Sequence, residues 1–150
     1  MATSQQFCTF FLDGSLFGVP VPRVQEVIRL HEMTRVPLAP AVVEGMINLR
    51  GQIVIAIDLR RQLSLRDRGS GELPVNVVVR TDEGPVSLLV DEIGDVIEVK
   101  ESTFEPPPET LHGSLRSMIL GVHKLDRRLL LRVLDTEVAC QIHGSGQIQG

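Results

Sequence analysis

The sequence predicts a mainly all-β fold made of two small antiparallel barrels, about five strands each, packed on one another. Three observations lead there. First, 43% of the 150 residues are apolar but only five are aromatic, all Phe, four of them before Val19. The interior must therefore be Val, Leu and Ile, a composition that favours strands. Second, short apolar runs are separated by turn signals at Asp13-Gly14, Arg50-Gly51, Asp82-Glu83-Gly84 and Asp126-Arg127. Third, the chain repeats itself. VPRVQEVIRL at 21–30 aligns without gaps on VDEIGDVIEV at 90–99, with apolar residues at the first, fourth, seventh, eighth and tenth places and an acid at the sixth. Later in each half, 53–57 is equated with 129–133. A copy of roughly 70 residues buries too little surface to stand alone. The copies therefore pack together and leave a groove at their seam.

The elements follow in order. Residues 7–12 alternate Cys8, Phe10 and Leu12 with Phe7 and Phe11, a strand apolar on both faces. Asp13-Gly14 turns it into a second strand over 16–21, which Pro20 and Pro22 bring to an end because proline donates no ladder hydrogen bond. Pro22 can open a helical turn over 23–26, and 27–30 is extended. Pro37 and Pro40 make the next connection irregular, with a helical turn expected at 41–44. The stretch VEGMINLRGQIVIAIDL, from Val43 to Leu59, holds the central hairpin, with runs at 45–49 and 53–57 flanking Arg50-Gly51. Gly51 can take a positive φ without steric cost. Residues 58–63 read as a short helix with Leu59 and Leu63 on one face. The charged, Gly/Ser-containing stretch SLRDRGSGELP at 64–74 is an exposed loop between the halves. Strands follow at 75–80, 86–90 and 95–99. Pro106, Pro107 and Pro108 forbid regular structure. Residues 117–124 and 129–133 form a last pair, 134–139 a closing helix, and 141–150 a polar, disordered tail.

Charge and motifs exclude several classes of function. A net charge of −4 without Tyr or Trp gives nucleic acid neither a cationic surface nor a stacking platform. Arg60, Arg61, Arg66 and Arg68 read as a solvated face. Cys8 and Cys140 match no metal or redox spacing, and Cys8 reads as a small core residue. The amino terminus lacks a secretory pattern and no run approaches the ~20 apolar residues of a membrane span, so a cytoplasmic protein is expected. His31, His112, His123 and His143 show no ligand spacing and default to surface or loop positions. No nucleophile elbow, phosphate loop or dinucleotide fingerprint occurs. Asp91, Glu92 and Asp95 are the one acidic cluster. With no nucleophile or oxyanion donor nearby, their expected place is the groove rim, or opposite an Arg of a partner. Arg50, beside a greasy hairpin, is either a partner contact or a solvated turn residue.

Four ordered segments resemble the CheW family of chemotaxis coupling proteins: FGVPVPRVQEVI at 17–28, VVEGMINLRG at 42–51, VIAIDL at 54–59 and LVDEIGDV at 89–96. The similarity runs from about Gln6 to Ala139. It implies one CheW-like domain over 1–140, built of two barrels of the Src-homology type, the first over about 6–68 and the second over about 74–134, with a possible crossing of the chain between them. It implies an adaptor without catalysis, metal or cofactor. Its partners would be the regulatory domain of a CheA-type histidine kinase and the cytoplasmic tip of a chemoreceptor, a helical hairpin lying against the groove. Carried over by position, Val24, Glu26, Gly45 and Arg50 make or support those contacts. Asn48 and Leu49 complete the central motif, and Val96 is the matching position in the second half. The same family architecture would serve a non-flagellar motility or signalling pathway. A small-ligand binding barrel is the rival class.

Overall fold

The two halves exchange their first hairpins. In the computed structural model, which describes residues 3–29, 32–69 and 71–142, β1 (Ser4–Leu12) and β2 (Ser15–Pro20) form a hairpin, and a 3₁₀ turn at Val21–Arg23 leads to β3 (Val24–Ile28). Then come β4 (Val43–Leu49), β5 (Gln52–Asp58) and α1 (Leu59–Gln62). The second half repeats this with β6 (Val75–Thr81), β7 (Gly84–Val90), β8 (Glu92–Lys100), the two-residue β9 (Phe104–Glu105), α2 (Gly113–Ser117), β10 (Ile119–Lys124), β11 (Leu130–Leu134) and α3 (Thr136–Ala139). One sheet has the order β8-β1-β2-β11-β10-β9, the other β3-β6-β7-β5-β4. Each sheet thus takes a hairpin from one half and its remaining strands from the other.

This exchange corrects two expectations. Neither sheet lies within 6–68 or 74–134, because the chain crosses between sheets after β2 and again after β7. Nor are the sheets antiparallel throughout. Each has one parallel pair, β11 with β2 and β5 with β7, where strands from different halves meet. A tight turn cannot join parallel neighbours, and here the intervening chain is long.

The repeat holds down to the ladder register. Val24 pairs with Val79 and Val27 with Val77; in the other sheet Ile93 pairs with Phe10 and Val96 with Cys8, each partner displaced by 69 residues. Both ladders therefore carry one extra residue at the same place, a β-bulge at 25–26 and again at 94–95. Gly45 opposite Ala56 corresponds to Gly121 opposite Val133. This sets 53–57 against 130–134, one residue from the expected 129–133. The cause is turn length. Arg50-Gly51 is a two-residue turn with φ of 51° and 92°, whereas Asp126–Arg128 inserts a third residue, Arg128, at φ 63°.

Helical turns sit slightly off their expected places. The turn after β2 covers Val21–Arg23, so Glu26 lies in a strand and not in a helix. Pro22 in this tight turn forces it early. Residues 41–42 make a turn that feeds β4 directly. Leu30 lies outside the described residues, as do His31, His143 and the expected tail beyond Ile142.

The core has three parts. Phe7, Leu16, Val99, Leu131 and Val133 fill the first sheet's concave side. Ile47, Leu49, Val54 and Val78 fill the second's. The largest part is shared between the sheets and includes Phe10, Leu12, Phe17, Val19, Ile57, Leu59, Val77, Leu88, Val90 and Leu134. β1 is apolar on both faces for that reason: Phe7 points into its own sheet, Phe10 and Leu12 into the seam. Cys8 is only half-buried.

Candidate functional site

The central hairpin presents Arg50 by local geometry. Leu49 pairs with Gln52 across a turn whose two residues both have positive φ, the type I′ conformation that matches strand twist. Gly51 takes its φ freely; Arg50 does not, and its neighbours hold it. The Asn48 side-chain oxygen accepts from Gly51 N at 2.8 Å. Arg50 Nη2 donates to Glu26 Oε2 on β3. β3 and β4 are opposite edges of their sheet, so this ion pair joins the two edges while the Arg50 side chain stays 71% exposed.

The other expected residues divide. Leu49 is buried in the second sheet's core and offers a partner nothing. Val24 is half-buried against the seam. Gly45 lies under its own chain: a Cβ there would stand 2.9 Å from the Thr34 carbonyl oxygen. Thr34 bridges Met46 through two 2.8 Å backbone hydrogen bonds. Gly121 repeats this role beneath Phe104 and Glu105, where a side chain would run into the Phe104 ring and the Glu105 carbonyl. Gly45 is therefore required by the strand crossing above it. Val96 is exposed on the far edge of the first sheet and is not brought to the Arg50 group, whose members lie on the second.

A trough opens beside the hairpin. Along β5, Ile57 is buried in the seam, Ile55 half-buried against it and Ile53 exposed. Ile53 and Ile55, with Pro85, Val86 and Ile142, line a cavity of about 660 Å³ whose polar members include Thr81, Glu83 and Glu137. It runs between the second sheet and the chain after α3. Arg50 stands three residues from the trough's exposed end and does not line it.

The basic cluster divides: Arg61 and Arg66 are exposed, as a solvated face requires, but Arg60 and Arg68 are not. Arg60 is buried. Its Nε donates to Asp91 Oδ1 at 2.9 Å and its Nη2 to Asp91 Oδ2 at 2.5 Å. Arg68, nearly buried, donates to Asp91 Oδ1 at 3.2 Å, and its Nη2 lies 3.6 Å from Asp58 Oδ1. Asp13 N donates to Asp91 Oδ2 at 2.8 Å. Asp91 thus meets arginines of its own chain, not a partner's. Burial pushes its carboxyl up, but the Arg60 hydrogen bond, the Asp13 amide and both guanidinium charges outweigh burial and hold it below the usual range. No local pattern shows that 60 and 91 meet, because the meeting depends on the hairpin exchange. His123 is likewise buried, not on the surface; burial lowers its pKa. Among the described residues no three His, Cys, Asp or Glu side chains converge as a metal site, and no helix is long and apolar enough to cross a membrane.

This architecture is shared. The family model described as the CheW-like domain matches residues 6–141. The chain belongs to the CheW-like domain family. It is 30% identical over 137 residues to the chemotaxis protein CheW of Treponema pallidum, covering 80% of this chain and 81% of that one. It is 30% identical over 128 residues to CheW of Bacillus subtilis, at 85% and 82% coverage. Protein FrzA of Myxococcus xanthus is 27% identical over 104 residues, at 69% and 65% coverage. The crystal structure of the scaffolding protein TtCheW from Thermoanaerobacter tengcongensis superposes with a TM-score of 0.84 at 26% identity, covering 95% of this chain and 97% of that one. A CheW-like scaffold accounts for the paired sheets.

Proposed function

We propose that this chain is a non-catalytic adaptor coupling chemoreceptor cytoplasmic tips to the regulatory domain of a CheA-type histidine kinase. It would work in the cytoplasm, recruited to membrane-associated receptor arrays. The observation that carries this reading is Arg50: exposed, held at positive φ and braced by Glu26, three residues from a trough of mixed lining whose apolar wall is Ile53, Ile55, Pro85 and Val86. A helical hairpin can lay apolar side chains along Ile53, Ile55 and Val86 while Arg50 meets a polar group at the rim, a helix-in-groove arrangement. Glu26 holds Arg50 in advance, so little side-chain freedom is lost on binding. The edge strand β3 remains for a kinase domain of like fold, since the outer side of β4 already pairs with Thr34. Membership of the CheW-like family and the likeness to the scaffolding protein TtCheW support the adaptor class.

The experiment measures binding of Arg50→Ala to a receptor-tip helical hairpin and, separately, to a CheA-type regulatory domain. Loss of one charge-assisted contact at a small interface costs about 2 kcal/mol, or about thirtyfold in Kd. Wild-type affinity for both partners in a folded Arg50→Ala variant would refute the assignment. The ligand-barrel alternative finds less support, since Ile47, Leu49, Val54 and Val78 fill the interior of the second sheet and the cavity of about 280 Å³ at the first is smaller than the sites that hold drug-sized ligands.

A further inference from the structure

The two halves match closely enough that their differences are informative. His123 occupies the place of Ile47, two residues after the paired glycines Gly121 and Gly45. Phe104 occupies the place of Met33, one residue before the segment that crosses each glycine. In the second sheet, Ile47 and Met33 pack into a closed aliphatic interior. In the first sheet the equivalent spot holds a buried imidazole and a half-exposed ring over a cavity of about 280 Å³, lined by Gln5, Phe7, Pro20, Glu101, Phe104, Leu120, His123 and Val133. The His123 ring lies between Phe7 and Phe104, with centroids 5.8 and 5.3 Å away.

Thr103 fixes the tautomer of that ring. Its hydroxyl has one proton and stands 2.8 Å from both Lys100 O and His123 Nδ1. The carbonyl can only accept, so the proton goes there, and Nδ1–H donates to Thr103 Oγ1. Neutral His123 then has a bare acceptor at Nε2. Because Nδ1 is occupied by Thr103, Nε2 is the nitrogen available to a ligand. Glu101 adds an anionic acceptor and Phe104 an electron-rich ring face. Gln5 is the one further polar wall; Phe7, Pro20, Leu120 and Val133 are apolar. This set wants a flat cation with several donors on a hydrocarbon stem, which is a guanidinium. The volume falls below the roughly 300–1,000 Å³ of sites for drug-sized ligands, so it suits one side chain and not a metabolite.

We propose that this cavity is a socket for an arginine side chain of a partner protein. The guanidinium stacks on Phe104, donates to Glu101 and His123 Nε2, and lays its stem on Leu120 and Val133. The socket lies on the first sheet, apart from Arg50 and Glu26 on the second, so it stands or falls independently of the coupling role.

The test is an NMR titration of the full chain, reading the His123 and Phe104 ring resonances, with N-acetyl-arginine-N-methylamide and its uncharged norleucine counterpart as probes. The expected result is a saturable shift of both rings with the arginine probe, at least tenfold weaker with norleucine and in Glu101→Gln. Glu101 is exposed, and the amide spectrum of that variant reports its fold. No saturable shift at His123, equal binding of the norleucine probe, or unchanged binding by Glu101→Gln would each overturn the proposal.

Discussion

Asp91→Ala should be among the more damaging single substitutions in this chain, although sequence reading places Asp91 on a surface. The carboxylate accepts four hydrogen bonds, two from Arg60, one from Arg68 and one from the Asp13 amide. Side-chain exposure is 8% for Arg60 and 18% for Asp91. Removing one member of a buried pair costs about 3 to 5 kcal/mol, because the remaining charge stays buried without its counter-ion. The low end applies, since Arg60 Nη1 keeps the Arg66 and Asp67 carbonyls at 3.1 and 3.4 Å. Against a total stability of about 5–15 kcal/mol, a loss near 3 is severe. For a chain this size it lowers Tm by about 10 °C. Urea unfolding should show a lower midpoint at unchanged slope. The double variant Arg60→Met/Asp91→Leu should lose less than Asp91→Ala, because no charge is stranded at Arg60. The pH dependence has a definite sign. The folded Asp91 pKa is lowered, so its contribution is complete at neutral pH and is lost only as pH falls through the folded value, below about pH 4. A cost under about 1 kcal/mol for Asp91→Ala would refute the reasoning and return the cluster to solvent-screened status.

Other perturbations separate architecture from contact. Gly45→Asp drives a Cβ toward the Thr34 carbonyl and should lower stability by about 1–3 kcal/mol in the isolated protein, read by thermal melting, so its effect on complex formation follows from folding. Arg50→Ala, by contrast, should leave the melting curve within about 0.5 kcal/mol of wild type, since the pair it breaks is exposed. Burial lowers the His123 pKa, so the fold favours the neutral ring; stability should be full above about pH 6.5 and decline as pH falls through the folded value, a slope that His123→Gln removes in acid-titrated unfolding. Glu137→Ala breaks the Arg23 pair, whose side chains are 41% and 34% exposed, and should cost about 1 kcal/mol or less in the same urea assay.

Much of the fold was legible because it rests on local signals. Asp13-Gly14 and Arg50-Gly51 announce two-residue hairpins, and both have the positive φ pairs that such turns need. The alternation at 7–12 shows a strand buried on both sides, which only a two-sheet core explains. The segment 21–30 against 90–99 revealed the repeat, and its register proved structural down to a shared bulge. What stayed hidden is non-local. No periodicity in 1–20 tells that this hairpin leaves its own half. Without that fact Asp91 seems available to a partner, Arg60 seems solvated and His123 defaults to the surface. Gly45 is expected to meet a partner or to need a positive φ, whereas its close neighbour is the Thr34 carbonyl of its own chain; the match to Gly121 is hidden because the connection before it is seven residues longer in the second half, shifting the offset from 69 to 76.

The exchange of hairpins raises a question of specificity, since two similar halves could each keep their own hairpin. The side chains at the crossings answer it. The chain leaves the first sheet at Val21–Arg23 and returns to it at Asp91. At each crossing a short helix from the other half supplies a counter-charge. Arg60 in α1 reaches Asp91, and Glu137, the equivalent residue in α3, reaches Arg23 at 2.7 Å. The signs are reversed between the halves. If each helix instead met the crossing of its own half, Arg60 would face Arg23 and Glu137 would face Asp91. Like charges repel strongly where Arg60 and Asp91 are buried and weakly where Arg23 and Glu137 are exposed. Charge therefore favours the exchanged arrangement alongside packing, the buried Arg60–Asp91 pair contributing most and the exposed Arg23–Glu137 pair little.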